Sequence, residues 1–141
     1  MKAQLNKLLA TTAVFYQNLR TYHWYVKGPK FFKLHEKFEE LYDEAAGNVD
    51  EIAERILALD ANPLFKYSDF VSNSAIEESN QTTGDVEMVN EVVNQLGVIL
   101  KLEKEILTLA GNDNDESTST LMSDLIVAQE KHLWMLKAYL G

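Results

Sequence analysis

His35, Glu39, Asp50 and Glu54 lie in one stretch of helical periodicity, and all four side chains are of types that bind metal ions. At about 100° per residue they fall within roughly 100° of the helix circumference. At about 1.5 Å of rise per residue, the first pair and the second lie roughly 22 Å apart along the axis. This helix alone therefore cannot close a compact metal site within one chain. The spacing has a second property: residue numbers 35 and 54 have the same sum as 39 and 50. Two copies of the helix, antiparallel across a two-fold axis near residues 44 and 45, would set His35 opposite the partner's Glu54 and Glu39 opposite the partner's Asp50. Ala45, Ala46 and Gly47 are small at that crossing and would let the backbones approach. The row reads as two half-sites completed by dimerisation.

His23 is in line with the apolar stripe of the preceding helix, where a histidine is more often a satisfied core residue than a ligand. His35, however, lies just beyond a Gly28-Pro29 turn, so antiparallel neighbouring helices would bring the two histidines together. Two imidazoles with carboxylates and no thiolate suit iron, manganese or zinc. Redox chemistry would favour iron, because zinc has no accessible redox couple. A solvated helix face is the competing reading of Asp50 and Glu54, but it leaves their mirror spacing with His35 and Glu39 unexplained. Glu36, Glu40, Glu44 and Glu51 form a further acidic flank. It reads as a solvated face, which inside a closed shell would also nucleate hydrated ferric oxide.

The elements that must carry these residues follow from apolar periodicity and breakers. A first helix is expected from about Gln4 to Lys27, with Leu5, Leu8, Leu9, Phe15, Tyr16, Leu19 and Val26 inward. A second runs from about Phe31 to Asp60 on an arc of Leu34, Phe38, Leu41, Tyr42, Ala45, Val49, Ile52 and Ile56. Residues 61–84 are polar and turn-rich, with at most a short helical turn around Lys66 to Val71. A connection this long can carry the chain from one end of a bundle to the other, so the helices it joins can run parallel. A third helix is expected from about Asp85 to Ala110. After GNDNDES, Asp115 or Ser117 would cap a fourth that reaches Leu140. Four long helices with one long crossover between the second and third describe an all-α, ferritin-like four-helix bundle spanning residues 1–141 as one domain.

The third and fourth helices lack the Glu-x-x-His pairs that build di-iron sites within one bundle. The residue three before His132 is Gln129, and His132 and Trp134 read as packing or surface residues. Cysteine is absent, which excludes a disulfide framework and thiolate metal sites. No apolar run approaches the ~20 residues that span a bilayer, and the N-terminal residues lack the pattern of a signal peptide. A cytoplasmic protein is expected. The net charge of −9 repels nucleic acid unless basic residues cluster, and Lys2 and Lys7 are the only basic residues before Arg20. DNA binding is therefore not expected.

The segment HWYVKGPKFFKLHEKFEELYDEAAGNVDEIAERILAL, from His23 to Leu59, closely resembles the Dps mini-ferritins, and KHLWMLKAYLG at Lys131 to Gly141 does so more loosely. The resemblance rests on two histidines twelve apart followed by a D-E-x-A-E-R block. It implies a hollow dodecamer of identical four-helix subunits that oxidises Fe²⁺, usually with hydrogen peroxide, at sites shared across two-fold axes. His23, His35 and Glu39 would come from one chain, and Asp50 and Glu54 from its partner. The family usually has aspartate where this chain has Glu39. Trp24 matches a tryptophan beside the family's site that intercepts radical equivalents; an interface aromatic is the alternative. Many members bind DNA through lysine-rich tails, which this sequence does not show. Asp113, Asp115 and Glu116 are candidates for an acidic pore that admits iron, although Thr120 stands at what resembles a pore aspartate.

Overall fold

The computed structural model describes residues 1–80 and 84–141, which contain five helices and no strand. The long helices are α1 (Lys2–Tyr25), α2 (Phe31–Ala58), α4 (Asp85–Asn112) and α5 (Glu116–Leu140). The crossover carries the seven-residue α3 (Tyr67–Asn73), where the sequence implied at most one helical turn. Each expected boundary of the long helices lies within about two residues of the one observed. Among the described residues no helix is long and apolar enough to cross a membrane.

Apolar stripes of the four long helices face one another. Leu5, Leu8 and Leu19 of α1, Phe38, Ile52 and Ile56 of α2, Met88, Leu96, Ile99 and Ile106 of α4 and Met122 of α5 are all but sealed from solvent. Burying each such side chain contributes about 1.5–3 kcal/mol, so this shared core holds the bundle together. Breakers stop the helices where they must turn. Gly28 takes a φ of 102°, in the region open chiefly to glycine, and Pro29 follows it into the bend between α1 and α2. Asp60 and Asn114 take left-handed backbone just after α2 and α4. The amides that follow, Ala61 and Asp115, bond back to the carbonyls of Ile56 and Ala110.

Directions follow from the side-chain contacts. Tyr16 meets Tyr42 and His23 meets His35, so α1 and α2 are antiparallel. Arg55 reaches Asp115 and Thr118 while Glu44 reaches His132, so α2 and α5 are antiparallel as well. The short connection at residues 113–115 turns α5 back against α4. Helices α2 and α4 are therefore parallel, as the long crossover requires.

Polar side chains of α1 tie that crossover down. The Asn6 amide donates to Asn62 O, and its oxygen accepts from Leu64 N. Thr11 Oγ1 accepts from Ala75 N, while Asn18 donates to Glu77 O and accepts from Ser79 N. Asn6, Thr11 and Asn18 follow one another at about one and a half and two turns, so the crossover is pinned along much of α1. Asp115 is the N-cap of α5, accepting from Thr118 N. Arg55 of α2 pairs with the same carboxylate at 3.3 Å and donates to Thr118 Oγ1 at 2.9 Å. The cap thus also clamps the C-terminal end of α2, the end that carries Asp50 and Glu54.

Candidate metal centre

The bend at Gly28-Pro29 sets the last turn of α1 beside the first turns of α2, which places His23 against His35. Their rings stack with centroids 3.7 Å apart and 13° between planes. Nδ1 of His23 lies 2.7 Å from the backbone oxygen of His35, and Nδ1 of His35 lies 2.8 Å from that of His23. A carbonyl can only accept, so each Nδ1 carries the proton and donates. In the neutral rings both Nε2 atoms are then left with lone pairs, the form that binds metal, with orientation fixed by the second ring nitrogen. Phe31 stacks on the far face of this pair, 4.8 Å from His35, and Tyr42 meets His23 edge-on at 5.3 Å.

Glu39, one turn beyond His35, brings Oε1 to 3.8 Å from His23 Nε2, and the Tyr42 hydroxyl donates to the same oxygen at 3.3 Å. Two donors on one ion with bonds of about 2.0–2.2 Å stand no farther apart than about 4.4 Å. The His23–Glu39 spacing fits within that span. Two imidazole lone pairs and an adjacent carboxylate are a donor set suited to a divalent transition metal. Trp24 is half-exposed beside this cluster on α1. The Arg20 guanidinium lies 4.8 Å from its ring centroid and 5.3 Å from that of Tyr16.

Asp50 and Glu54 are exposed farther along α2, and nothing in the chain brings them to the histidines. Among the described residues no group of three or more histidine, cysteine, aspartate or glutamate side chains is close enough to hold a metal ion. Glu39, Ala46, Gly47, Asp50 and Glu54 are all exposed on α2, and a Cβ built on Gly47 meets nothing within 4 Å. Ala45 departs from the expected crossing: its side chain is buried in the chain's own core, so Ala46 and Gly47 alone remain free there. Beside them a groove of about 500 Å³ is lined by Tyr16, Arg20, Val49, Tyr67 and Phe70, among others.

Two further expectations need correction, those for Glu44 and Asp115. Glu44 is not part of the solvated flank: it is half-buried and accepts from His132 Nε2 at 2.6 Å, which holds its carboxyl below the usual range. His132 is accordingly a buried packing residue of the bundle, one of the two roles expected for it. Asp115 is taken by its own cap and by Arg55, which leaves Asp113 and Glu116 as the exposed acids at that corner. Glu103, one of the α4 glutamates without a histidine three residues on, is fully buried, which the sequence reading does not anticipate. Burial pushes its carboxyl up to about 8, with Gln129 opposing weakly, and neither oxygen has a hydrogen-bond partner. It falls on the inward register of Leu96, Ile99 and Ile106. That register was the available signal.

A four-helix bundle with a crossover of this kind, carrying two stacked histidines and a carboxylate on its first hairpin, has the architecture of the ferritin-like helical proteins. Residues 2–141 match the ferritin family, described as a ferritin-like domain. The chain is 43% identical to DNA protection during starvation protein 2 of Bacillus anthracis, over 97% of this chain and 94% of that one. The crystal structure of a Dps protein from Vibrio cholerae superposes with a TM-score of 0.97 at 43% identity, covering 99% of this chain and 88% of that one. It is described as a member of a broad superfamily of ferritin-like diiron-carboxylate proteins. Dps from Staphylococcus aureus superposes with a TM-score of 0.96 at 38% identity, covering 99% and 94%. The chain belongs to the ferritin-like family, among the Dps proteins.

Proposed function

We propose that the protein detoxifies and stores iron, oxidising Fe²⁺ with hydrogen peroxide at sites shared between two-fold-related copies. The observation that carries this reading is the crossed pair of Nδ1–H bonds between His23 and His35, which leaves both Nε2 atoms with lone pairs, that of His23 3.8 Å from Glu39. The exposed Asp50 and Glu54, mirror-spaced on the same helix, would supply the partner's share. Fe²⁺ is the substrate. Two Fe²⁺ give one electron each, and peroxide with two protons becomes two waters. Pairing the electrons avoids the single-electron step that would release a hydroxyl radical. The exposed Glu36, Glu40 and Glu51 would receive ferric product if they face the interior of a closed shell. A dodecamer of about 190 kDa is the expected particle, from a chain of 16.0 kDa. Light scattering that shows only monomer at micromolar concentration would remove the site. The net charge of −9 weighs against DNA coating as the main activity.

Mixed assembly tests the sharing. His35→Ala and Glu54→Ala should each abolish rapid peroxide-driven iron oxidation while leaving the particle intact. In a dimer of one chain of each kind, one of its two sites carries both lesions and the other carries neither. Particles reassembled from both variants should therefore regain part of the rapid phase. A site within one chain forecasts no recovery, because every chain carries a lesion. Verified mixing without recovery would refute the shared site.

A further inference from the structure

Glu39 enters the half-site with far more freedom than the histidines. Its side chain is 52% exposed, whereas both rings are locked by crossed hydrogen bonds and stacking. A glutamate held in one rotamer gives up much of its side-chain entropy, so an unsupported Glu39 would bind metal weakly. One contact holds it: the Tyr42 hydroxyl, three residues on along the same face of α2, donates to Oε1 at 3.3 Å. That is the oxygen standing 3.8 Å from His23 Nε2. Tyr42 is itself fixed, edge-on to His23 at 5.3 Å and 82°, and edge-on to Tyr16 at 5.9 Å and 85°. The phenol thus ties the one mobile donor to the rigid histidine pair.

We propose that Tyr42 is a positioning residue whose hydroxyl holds Glu39 where its carboxylate and His23 bind one divalent cation. The inference rests on the metal-site reading above and deepens it. It also gives the length of Glu39 a physical role. The carboxylate uses one lone pair of Oε1 for the phenol and keeps another, with both of Oε2, for the ion. An aspartate at this position would be one methylene shorter and would have to hold the same two partners from farther back. Removing an outer hydrogen bond of this kind typically lowers metal affinity by about 10–100-fold.

Cobalt(II), which needs no oxidant and reports its ligand field as visible absorption, is the probe. It is titrated anaerobically into assembled protein and read as the difference from His35→Ala, which removes signal from cobalt bound elsewhere. Tyr42→Phe should weaken binding by about ten-fold and change the spectrum. Glu39→Ala should also weaken it, and Tyr42→Phe/Glu39→Ala should be no weaker than Glu39→Ala alone. Tyr42→Phe with wild-type affinity and spectrum would overturn the proposal. So would a Tyr42→Phe effect that persists in full on the Glu39→Ala background, which would mean that Tyr42 acts through packing on His23. Light scattering checks assembly, and Tyr42→Leu replaces the phenylalanine variant if that variant does not assemble. Failure of both to assemble would also count against a hydroxyl that acts only on Glu39. A wild-type titration indistinguishable from that of His35→Ala would overturn the underlying metal site as well, so the two failures are separable.

Discussion

Two clusters in this molecule use the same side-chain types to opposite ends. On the hairpin of α1 and α2, His23 is buried and His35 partly so, both Nδ1 atoms are spent on backbone carbonyls, and Glu39 beside them is half-exposed. Inside the bundle, Glu44, Glu103, Gln129 and His132 bring two carboxyls and an imidazole into the core. There the imidazole is bonded through Nε2 to Glu44, while His132 Nδ1, Gln129 Oε1 and both Glu103 oxygens find no hydrogen-bond partner. The outer cluster has rigid rings and an exposed carboxylate in Glu39, whereas in the inner one Glu103 is sealed and Glu44 is half-buried against His132. A histidine beside carboxylates is therefore not yet a site. What separates the two is which ring nitrogen the backbone takes and whether a second molecule can reach the other one.

Exchanging lesions between the clusters is the sharpest way to break that comparison. His35→Ala should lower the rate of peroxide-driven iron oxidation by on the order of 100-fold or more, with the thermal midpoint of the particle changing by only a few degrees. Stopped-flow absorbance of ferric product and calorimetry check the two halves. Glu103→Gln should do the reverse, leaving that rate within about two-fold and altering stability instead. Equal losses of rate from the two variants would mean that the inner cluster takes part in the chemistry.

The pH dependence of the inner cluster sharpens the contrast. The carboxyl of Glu103 titrates at about 8 in the fold against an ordinary 4.5, so between those values the folded protein holds a proton that the unfolded chain has released. The stability tied to this group is complete below about pH 4.5 and is lost as pH rises through 8. Glu103→Gln, neutral throughout, should match wild type near pH 5 and exceed it by roughly 2–4 kcal/mol per chain near pH 9. Denaturation midpoints at the two pH values measure this, and equal slopes for both proteins would refute a protonated Glu103.

The smallest effect is expected at the far end of α2, where the cap of α5 holds the turn that carries Asp50 and Glu54. Asp115→Ala removes the N-cap and the partner of Arg55, and should cost about 1–2 kcal/mol of stability. The bonds from Thr118 and the Arg55 charge hold the Asp115 carboxyl below its ordinary value. Its contribution is therefore present above that ordinary value and is lost as pH falls through the depressed one. Acid unfolding of wild type and Asp115→Ala should accordingly converge at low pH. Curves that stay parallel down to pH 2 would show that the cap is not linked to that proton.

Much of this was legible in the chain. Apolar spacing, Gly28-Pro29 and the Asp115 cap place the four long helices, because local periodicity and breakers act within a few residues. The twelve-residue gap between His23 and His35 foretells their meeting, since a tight bend leaves antiparallel helices no other register. The inner groups are not legible there, because Glu44 meets His132, and Glu103 meets Gln129, only when α2, α4 and α5 pack. Glu44 lies near the edge of the inward arc of α2, and packing decides whether such a position meets water or His132. Periodicity likewise could not show that the backbone takes Nδ1 of both outer rings, nor that Tyr42 reaches Glu39. Those bonds depend on side-chain rotamers and on a register set to within an ångström. The sequence by itself determined the helices, their order and the mirror-spaced donors, because these are properties of position along one chain. Only the tertiary structure decided which ring nitrogens the backbone takes and which acids lose their water, because hydrogen bonding and desolvation depend on what the other helices bring.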